Sequence, residues 1–142
     1  MKRFFQRLVQ YKVLFFALSV AWLLFLSALS LIPYEGSELL PETGSEFRWD
    51  YLEHFAGYLV LGVLVTLWRL NRNYSLSLLE TIFIVGAGLF ISFLLEYGQI
   101  FIPGRSFNIV DVIYNIFGLT TGVLGAYFIM GRWILDKPVT GD

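Results

Sequence analysis

The sequence contains no cysteine, and it has a single histidine, His54. Without cysteine, the chain cannot form a disulfide, a thiolate metal site or a cysteine nucleophile. Charge is also scarce, because only 15% of the 142 residues are charged, compared with about 25% in soluble domains. The formal net charge is −1, so only the distribution of the charges along the chain is informative.

Apolar side chains take the place of the missing charge. Hydrophobic residues make up 57% of the chain, compared with about 45–50% in soluble domains, and the mean hydropathy is +0.69. A chain of this length forms one domain, whose core cannot enclose so much apolar surface. The eight tyrosines and four tryptophans fit the same environment, since both favour membrane interfaces. The composition therefore indicates an integral membrane protein.

Four apolar segments predict an all-α bundle of four transmembrane helices. A spanning helix needs about 20 mostly apolar residues, because a hydrocarbon core of about 30 Å is crossed at 1.5 Å per residue. The predicted spans are about residues 13–32, 51–68, 76–95 and 110–130, with loops 33–50 and 96–109 on one side.

Two of these spans have rival interpretations. The first follows a basic leader, but its 20 uncharged residues exceed the core of about 7–15 in a signal peptide, so we expect an uncleaved helix. The second contains a short apolar run, residues 55–68, which also fits a re-entrant segment. A crossing is favoured, because a re-entrant segment would move the basic residues that follow it to the opposite side.

The basic residues lie almost entirely on one side of the predicted bundle. Lys and Arg in short loops mark the cytoplasmic side of a membrane protein. Only Arg48 and Arg105 fall in the two loops named above. The other eight of the ten basic residues are Lys2, Arg3, Arg7, Lys12, Arg69, Arg72, Arg132 and Lys137. We therefore expect both termini in the cytoplasm, and loops 33–50 and 96–109 outside; we interpret the acidic first loop as solvated.

Ionisable and amide side chains cluster near the outer ends of the predicted helices. A charged side chain inside a span costs about 2.5–3.5 kcal/mol on insertion scales, so each one calls for an explanation. His54 lies near the start of the second span, and Glu96 and Gln99 close the third. The second outer loop and the first turns of the fourth span add Arg105, Asn108, Asp111 and Asn115. Segments that are distant in the chain thus meet at one depth.

Helical spacing places these polar groups on the faces where helices pack. Asp111 and Asn115 share a face with Gly118 and Gly122, a Gly-x-x-x-Gly step that lets two helices approach closely. The same spacing joins His54 to Tyr58 in the second span, and it joins Gly88, Ser92 and Glu96 in the third. We expect these faces to pack together and to direct His54, Glu96, Asp111 and Asn115 into one outward-facing pocket.

The connection before the fourth span has signals of its own. Pro103 and Gly104 predict a turn after the third helix. Asn108 is suited to cap the fourth helix, which leaves Asp111 at the third helical position, where a carboxylate is stabilised by the helix dipole.

Each polar residue also has a structural interpretation that needs no ligand. Arg105 could pair with Glu96 or Asp111 and fasten the loop, because buried ionisable residues normally pair. Asp111 could be only a helix-terminus acid, and His54 an interfacial histidine without chemistry. Glu80 lies near the cytoplasmic end, where we expect it to reach the interface or pair with Arg72.

Two stretches of the sequence resemble the VanZ-like family of bacterial membrane proteins. The first, residues 54–62, has the pattern His54-Phe55-x-x-Tyr58. The longer and more specific stretch, residues 96–118, has Glu96-x-x-Gln99, Arg105-Ser106 and Asp111-x-x-x-Asn115-x-x-Gly118. The similarity covers about residues 15–130. It implies a multi-pass protein of the bacterial inner (cytoplasmic) membrane, and the family's namesake is linked with resistance to the glycopeptide teicoplanin.

One hypothesis is that the pocket binds, and could process, an anionic lipid-linked intermediate of the cell envelope. Arg105 presents donors suited to phosphate, and the start of the fourth helix adds free backbone N–H groups. His54 could exchange protons near neutral pH. The candidate catalytic residues are His54, Glu96 and Asp111, and the candidate substrate-binding residues are Arg105, Gln99, Asn108, Asn115 and Tyr58. Whether the protein is an enzyme stays open.

A second hypothesis makes the polar cluster a structural clasp in a non-enzymatic accessory or partner-binding subunit. Interhelical polar bonds contribute only about 0.6 kcal/mol on average, so this many polar residues exceed what stability requires, which favours a binding site. Transport by a dimer is a third alternative. We expect a membrane lipid or lipid-linked phosphate as the ligand, no nucleic acid, and either self-association or a membrane partner protein.

The balance of charge in the pocket raises the question of a metal. Two acids beside one arginine leave little positive charge for an anion, and a metal ion held by His54, Glu96 and Asp111 would reverse that balance. One histidine is few for a metal site, so the sequence alone assigns no metal and no cofactor.

The predicted topology can be tested with fusion reporters. A reporter fused after Arg72 should be cytoplasmic, and one inserted within residues 33–46 should be external, because the basic residues cluster on the cytoplasmic side. Activity of a paired cytoplasmic and external reporter at each position is the measurement. The opposite assignment at both positions would overturn the orientation.

Overall fold

The computed structural model describes residues 11–33, 49–70 and 76–135, with side chains as far as Met130. Within these ranges the chain forms four α-helices and no strand: α1 (Lys12–Leu31), α2 (Trp49–Arg69), α3 (Leu78–Gln99) and α4 (Ile109–Leu135). All four are long and apolar enough to cross a membrane. The predicted four-helix fold is confirmed. The acidic first loop and most basic residues behind the predicted orientation lie outside the described residues.

The last two helices extend past the predicted spans, α4 to Leu135 and α3 to Gln99. This helix continues to Gln99, so Glu96 and Gln99 belong to its last turn rather than to loop 96–109. Hydropathy ends a span at the first polar residue, whereas backbone hydrogen bonding continues until the chain turns. The turn follows at residues 100–104, where Gly104 has a φ of 77°, a left-handed conformation that favours glycine.

Side-chain caps fix the first turns of α3 and α4. Ser77 and Glu80 form a capping box, in which the Glu80 N–H donates to Ser77 Oγ and the Ser77 N–H donates to Glu80 Oε2. Glu80 also pairs with Arg69 of α2. Arg72, its predicted partner, lies outside the described residues. At α4 the Val110 N–H donates to Asn108 Oδ1 at 3.0 Å, so the predicted Asn108 cap is confirmed.

α2 and α4 pack at backbone distance. A Cβ atom added at Gly118 would overlap the carbonyl oxygen of Phe55, and one added at Gly122 would overlap that of Leu59. On the other helix, Gly62 stands against the carbonyl oxygen of Leu119. The predicted Gly-x-x-x-Gly step therefore does allow two helices to approach closely, and its partner is α2.

α1 and α3 flank this central pair. Trp22 of α1 donates its indole N–H to the carbonyl oxygen of Gly57 in α2 at 2.8 Å. Gly88 of α3 faces the Leu119 side chain of α4. α1 and α3 make few contacts with each other, so a cleft separates them, with α2 as its floor.

Large apolar side chains cover the outside of the bundle. Phe83 is 75% exposed, and Phe90, Phe117 and Phe128 are each at least 63% exposed. Continuous apolar surface of this kind would aggregate in water, but it is the normal exterior of a helix bundle in lipid. Together with the helix lengths, it identifies a multi-pass membrane protein.

The close contact of α2 with α4 predicts a difference between two glycines of one helix. Gly122→Ala should lower the free energy of unfolding by about 1–3 kcal/mol, because its Cβ overlaps the Leu59 carbonyl group. Gly125→Ala is the control, since a Cβ there meets nothing within 4 Å. Unfolding of both variants in mixed micelles measures the difference. Equal stability of the two variants would contradict the packing.

Candidate functional site

One end of the bundle, the polar end, collects side chains from all four helices. The helices alternate in direction, so the last turns of α1 and α3 lie beside the first turns of α2 and α4. The polar end contains Ser30 of α1, His54 of α2, Ser92, Glu96 and Gln99 of α3, and Asp111 and Asn115 of α4. The alternation of the helices therefore brings together residues that are far apart in the sequence.

A chain of hydrogen bonds crosses the polar end from α2 through α4 to α3. His54 Nδ1 lies 3.0 Å from Asn115 Oδ1, and Asn115 Nδ2 donates to Ser92 Oγ at 2.9 Å. Since the Asn115 amide N–H₂ group points to Ser92, its carbonyl oxygen accepts from His54, which assigns the imidazole proton to Nδ1. The other ring nitrogen, Nε2, is then the lone-pair atom and faces the acids.

Asp111 lies beside that ring nitrogen. Its Oδ2 is 3.7 Å from His54 Nε2, and its Oδ1 accepts from Asn108 Nδ2 at 3.0 Å. Asn108 therefore caps α4 and orients the Asp111 carboxylate at the same time. The side chain of Asp111 is buried, being only 9% exposed.

Glu96 is the most deeply buried acid of the polar end. The residue is 1% exposed, and its Oε1 accepts from Gln99 Nε2 at 3.0 Å. Gln99 Nε2 also donates to Ser30 Oγ of α1 at 2.9 Å. The second carboxylate oxygen, Oε2, is buried and has no hydrogen-bond partner among the described residues. An unsatisfied buried carboxylate oxygen is costly, so it needs an explanation.

A cavity of about 130 Å³ opens among these side chains. Six of the eight candidate site residues line it: His54, Tyr58, Glu96, Gln99, Arg105 and Asn115. The other two, Asp111 and Asn108, lie just outside the lining, with Asp111 reaching it through His54. One nitrogen of His54 and one oxygen each of Glu96 and Asp111 lie within 4.8 Å of one another, a spacing that could hold a metal ion.

Arg105 fastens the loop that follows α3 to the end of α1. Its Nε donates to the carbonyl oxygen of Ile32 at 3.2 Å, and its Nη2 donates to that of Leu29 at 3.3 Å. A cation is favourable at a helix C-terminus, where the carbonyl groups lack partners. Arg105 thus has the loop-fastening role that its structural interpretation predicted, but through backbone oxygens of α1. Its side chain also lines the cavity.

An apolar groove of about 570 Å³ lies farther along the cleft, and it shares no lining residue with the cavity. On α2, His54 and Tyr58 line the cavity, and Leu61, Val65 and Trp68 line the groove. These five positions follow each other at three- and four-residue steps, which is one helix face. On α3 the same face carries Ile84, Ala87 and Ile91 in the groove and Leu95 and Gln99 in the cavity. Arg69 and Glu80 line the far end.

Some residues of the polar end were not identified as site candidates from the sequence. Ser30 lines the cavity and binds Gln99, and Glu53 lines the cavity rim. Glu53 stands next to His54 in the sequence, which was the available signal. Ser30 had a weaker signal in the sequence, a hydroxyl in the last turn of an apolar helix. The carbonyl groups that hold Arg105 had no signal in the sequence.

Comparison with known proteins adds one finding. The model of the VanZ/LLP1 family matches residues 5–130 of the chain, which extends past both ends of the two motif stretches. No curated protein and no solved structure matches the chain.

The hydrogen-bond chain predicts the tautomer of His54. Nitrogen NMR of isotope-labelled histidine should show a proton at Nδ1 of His54, and the single histidine of the chain makes the signal unambiguous in untagged protein. Asn115→Leu should abolish this tautomer and lower the free energy of unfolding by about 1–2 kcal/mol, since it removes two interhelical bonds.

Ser92→Ala is the control for that experiment. It removes the hydroxyl that accepts from Asn115 Nδ2 but leaves the Asn115 carbonyl group facing His54, so the tautomer should be retained. A wild-type imidazole protonated mainly at Nε2 would show that the assigned chain is wrong.

Proposed function

The chain belongs to the VanZ/LLP1 family, and from this premise we propose that it is an inner-membrane protein that binds an anionic lipid-linked intermediate of the cell envelope. The polar cavity takes the anionic head group, and the apolar groove takes the lipid chain. The observation that carries the proposal is the alignment of the two spaces, because one face of α2 and one face of α3 line both.

The length of the cleft fits a long lipid chain. Along α2, His54 and Trp68 are about 21 Å apart at 1.5 Å per residue. That distance exceeds half of a hydrocarbon core of about 30 Å. A chain lying in the groove with its head group at His54 therefore reaches past the middle of the bilayer.

The size of the cavity limits the part of the head group that enters it. Its 130 Å³ correspond to roughly four waters at about 30 Å³ each, which suits a phosphate group but not a whole lipid head group. A larger head group would project from the rim, where Glu53 lies. The guanidinium group of Arg105 lines the cavity and presents donors suited to phosphate. His54 Nε2 faces the same region and could exchange a proton with the bound group.

We place the polar end at the external face of the inner membrane, with both termini in the cytoplasm. The charge bias of the sequence supports this orientation, since eight of ten basic residues fall outside the two loops predicted to be external. In this orientation the head group is held at the outer leaflet, where glycopeptides act on cells. Susceptibility to teicoplanin is therefore the cellular phenotype to score, as the family's namesake suggests.

The structural-clasp hypothesis accounts for only part of the polar end. The bonds from His54 through Asn115 to Ser92 do join three helices. A clasp gives no reason for the unpartnered Glu96 Oε2, for a cavity at the end of the cleft, or for the groove aligned with it. Binding of a lipid accounts for the groove and the cavity together, which is why we prefer it.

Occupation of the groove predicts a specific loss of lipid in one variant. Ala87 lines the groove, so Ala87→Leu fills part of it and should reduce the retained anionic lipid at least about 10-fold, the usual effect of losing a well-filled apolar contact. Native mass spectrometry of protein purified with its lipids, with a check of thermal unfolding, measures the retained species.

Gly86→Leu is the matched control, because it adds the same side chain at the adjacent position, where an added Cβ meets nothing within 4 Å. It should retain the lipid. A wild-type protein without a specific anionic lipid, or equal lipid retention by both variants, would contradict lipid binding and favour the clasp hypothesis.

A further inference from the structure

We propose that His54, Glu96 and Asp111 bind a divalent metal ion of the first transition row, which in turn coordinates the anionic head group. The inference deepens the proposed function. Only the statement that the ion coordinates the head group rests on that function. The ion site itself stands on the three side chains, whose ligand atoms lie within 4.8 Å of one another.

Glu96 Oε2 is the observation that points to an ion. The residue is 1% exposed, lines the cavity, and leaves this oxygen without a hydrogen-bond partner among the described residues. A buried carboxylate oxygen is stable only when it is protonated, hydrogen-bonded or bound to a cation. A cation held jointly by the Glu96 carboxylate, His54 and Asp111 would satisfy it.

Each of the three proposed ligands is oriented by a carboxamide side chain. Asn115 holds His54 at Nδ1, Asn108 holds Asp111 at Oδ1, and Gln99 holds Glu96 at Oε1. In every case the amide binds one atom of the group. Ligating histidines and carboxylates in metal sites are usually fixed in this way by a hydrogen bond to a second atom. The Nδ1–H tautomer also leaves the His54 Nε2 lone pair toward the acids.

The charge of the cavity requires a cation before an anion can enter. Three carboxylates, those of Glu53, Glu96 and Asp111, stand in or beside the cavity, with Arg105 as the guanidinium in its lining. A phosphate group would meet net repulsion there. A divalent ion bound by two of the carboxylates restores the balance and offers open coordination positions to phosphate oxygens.

The donor set selects the class of ion. One imidazole nitrogen with two carboxylate oxygens suits Zn²⁺ or Mn²⁺, whereas Ca²⁺ and Mg²⁺ prefer oxygen ligands alone. Three protein ligands leave at least one position open, as in catalytic zinc sites. Tetrahedral bonds of about 2.0–2.1 Å separate ligand atoms by about 3.4 Å. The widest pair of the trio therefore closes by at most about 1.4 Å, which side-chain rotation supplies.

The test is metal binding by the full chain, purified with an affinity tag that contains no histidine and stripped with a chelator. Titration with Mn²⁺, followed by electron paramagnetic resonance, should show one bound ion per chain. Glu96→Gln keeps the shape of the side chain and should weaken binding at least about 10-fold, the lower end of the cost of disturbing a metal site. Glu53→Gln removes the same charge from the rim and should stay within about 3-fold.

A second measurement needs no variant and locates the ion. Zn²⁺ should shift the Nε2 nitrogen resonance of His54 and leave Nδ1 protonated.

The groove variant Ala87→Leu should bind the ion as the wild type does, although it loses the lipid. Lipid retained by metal-free protein would refute the inference alone, whereas an ion without a specific lipid would refute the proposed function alone. No saturable ion in folded wild type, or equal affinities of Glu96→Gln and Glu53→Gln, would overturn the site.

Discussion

The contact between α2 and α4 at backbone distance is the constraint on which the rest of the structure depends. Gly62, Gly118 and Gly122 allow each helix to lie against carbonyl oxygens of the other, so neither helix can slide or rotate without a clash. In lipid there is no hydrophobic force between helices, and such close packing is a main source of stability. The contact fixes the register that puts His54 beside Asn115 and Asp111.

The polar end and the cleft follow from this register. With α2 and α4 fixed, α3 adds Ser92 and Glu96 to the same end through the Asn115 bond, and α1 adds Ser30. α1 packs mainly on α2 and α3 mainly on α4, and they leave a space between them, with a polar cavity at one end and an apolar groove along its length. A lipid with an anionic head group likewise has a polar part and an apolar part. The proposed ion supplies positive charge that offsets the carboxylates of the cavity.

The sequence predicted the parts that depend on length, hydropathy and helical spacing. The four helices, the Asn108 cap, and the shared faces of Asp111 with Asn115 and of Ser92 with Glu96 all have a pattern within one segment. Features that depend on the distance between segments had no such pattern in the sequence. Gly62 is a lone glycine in an apolar run, so its contact with α4 has no sequence pattern. Arg105 binds backbone oxygens, which every residue has. For Glu80 the sequence offered two basic partners, Arg69 and Arg72, at similar separations. The groove depends on the separation of α1 and α3, which apolar residues do not encode.

The most direct test of the central claim, that the cleft holds one specific lipid, is photo-cross-linking in native membranes. A photoreactive side chain at position 91 faces the groove, and one at position 90 faces the surrounding lipid. The account predicts that position 91 captures predominantly one anionic lipid species, while position 90 captures the bulk lipid mixture. The same bulk mixture at both positions would contradict it, since the cleft would then be ordinary lipid-facing surface.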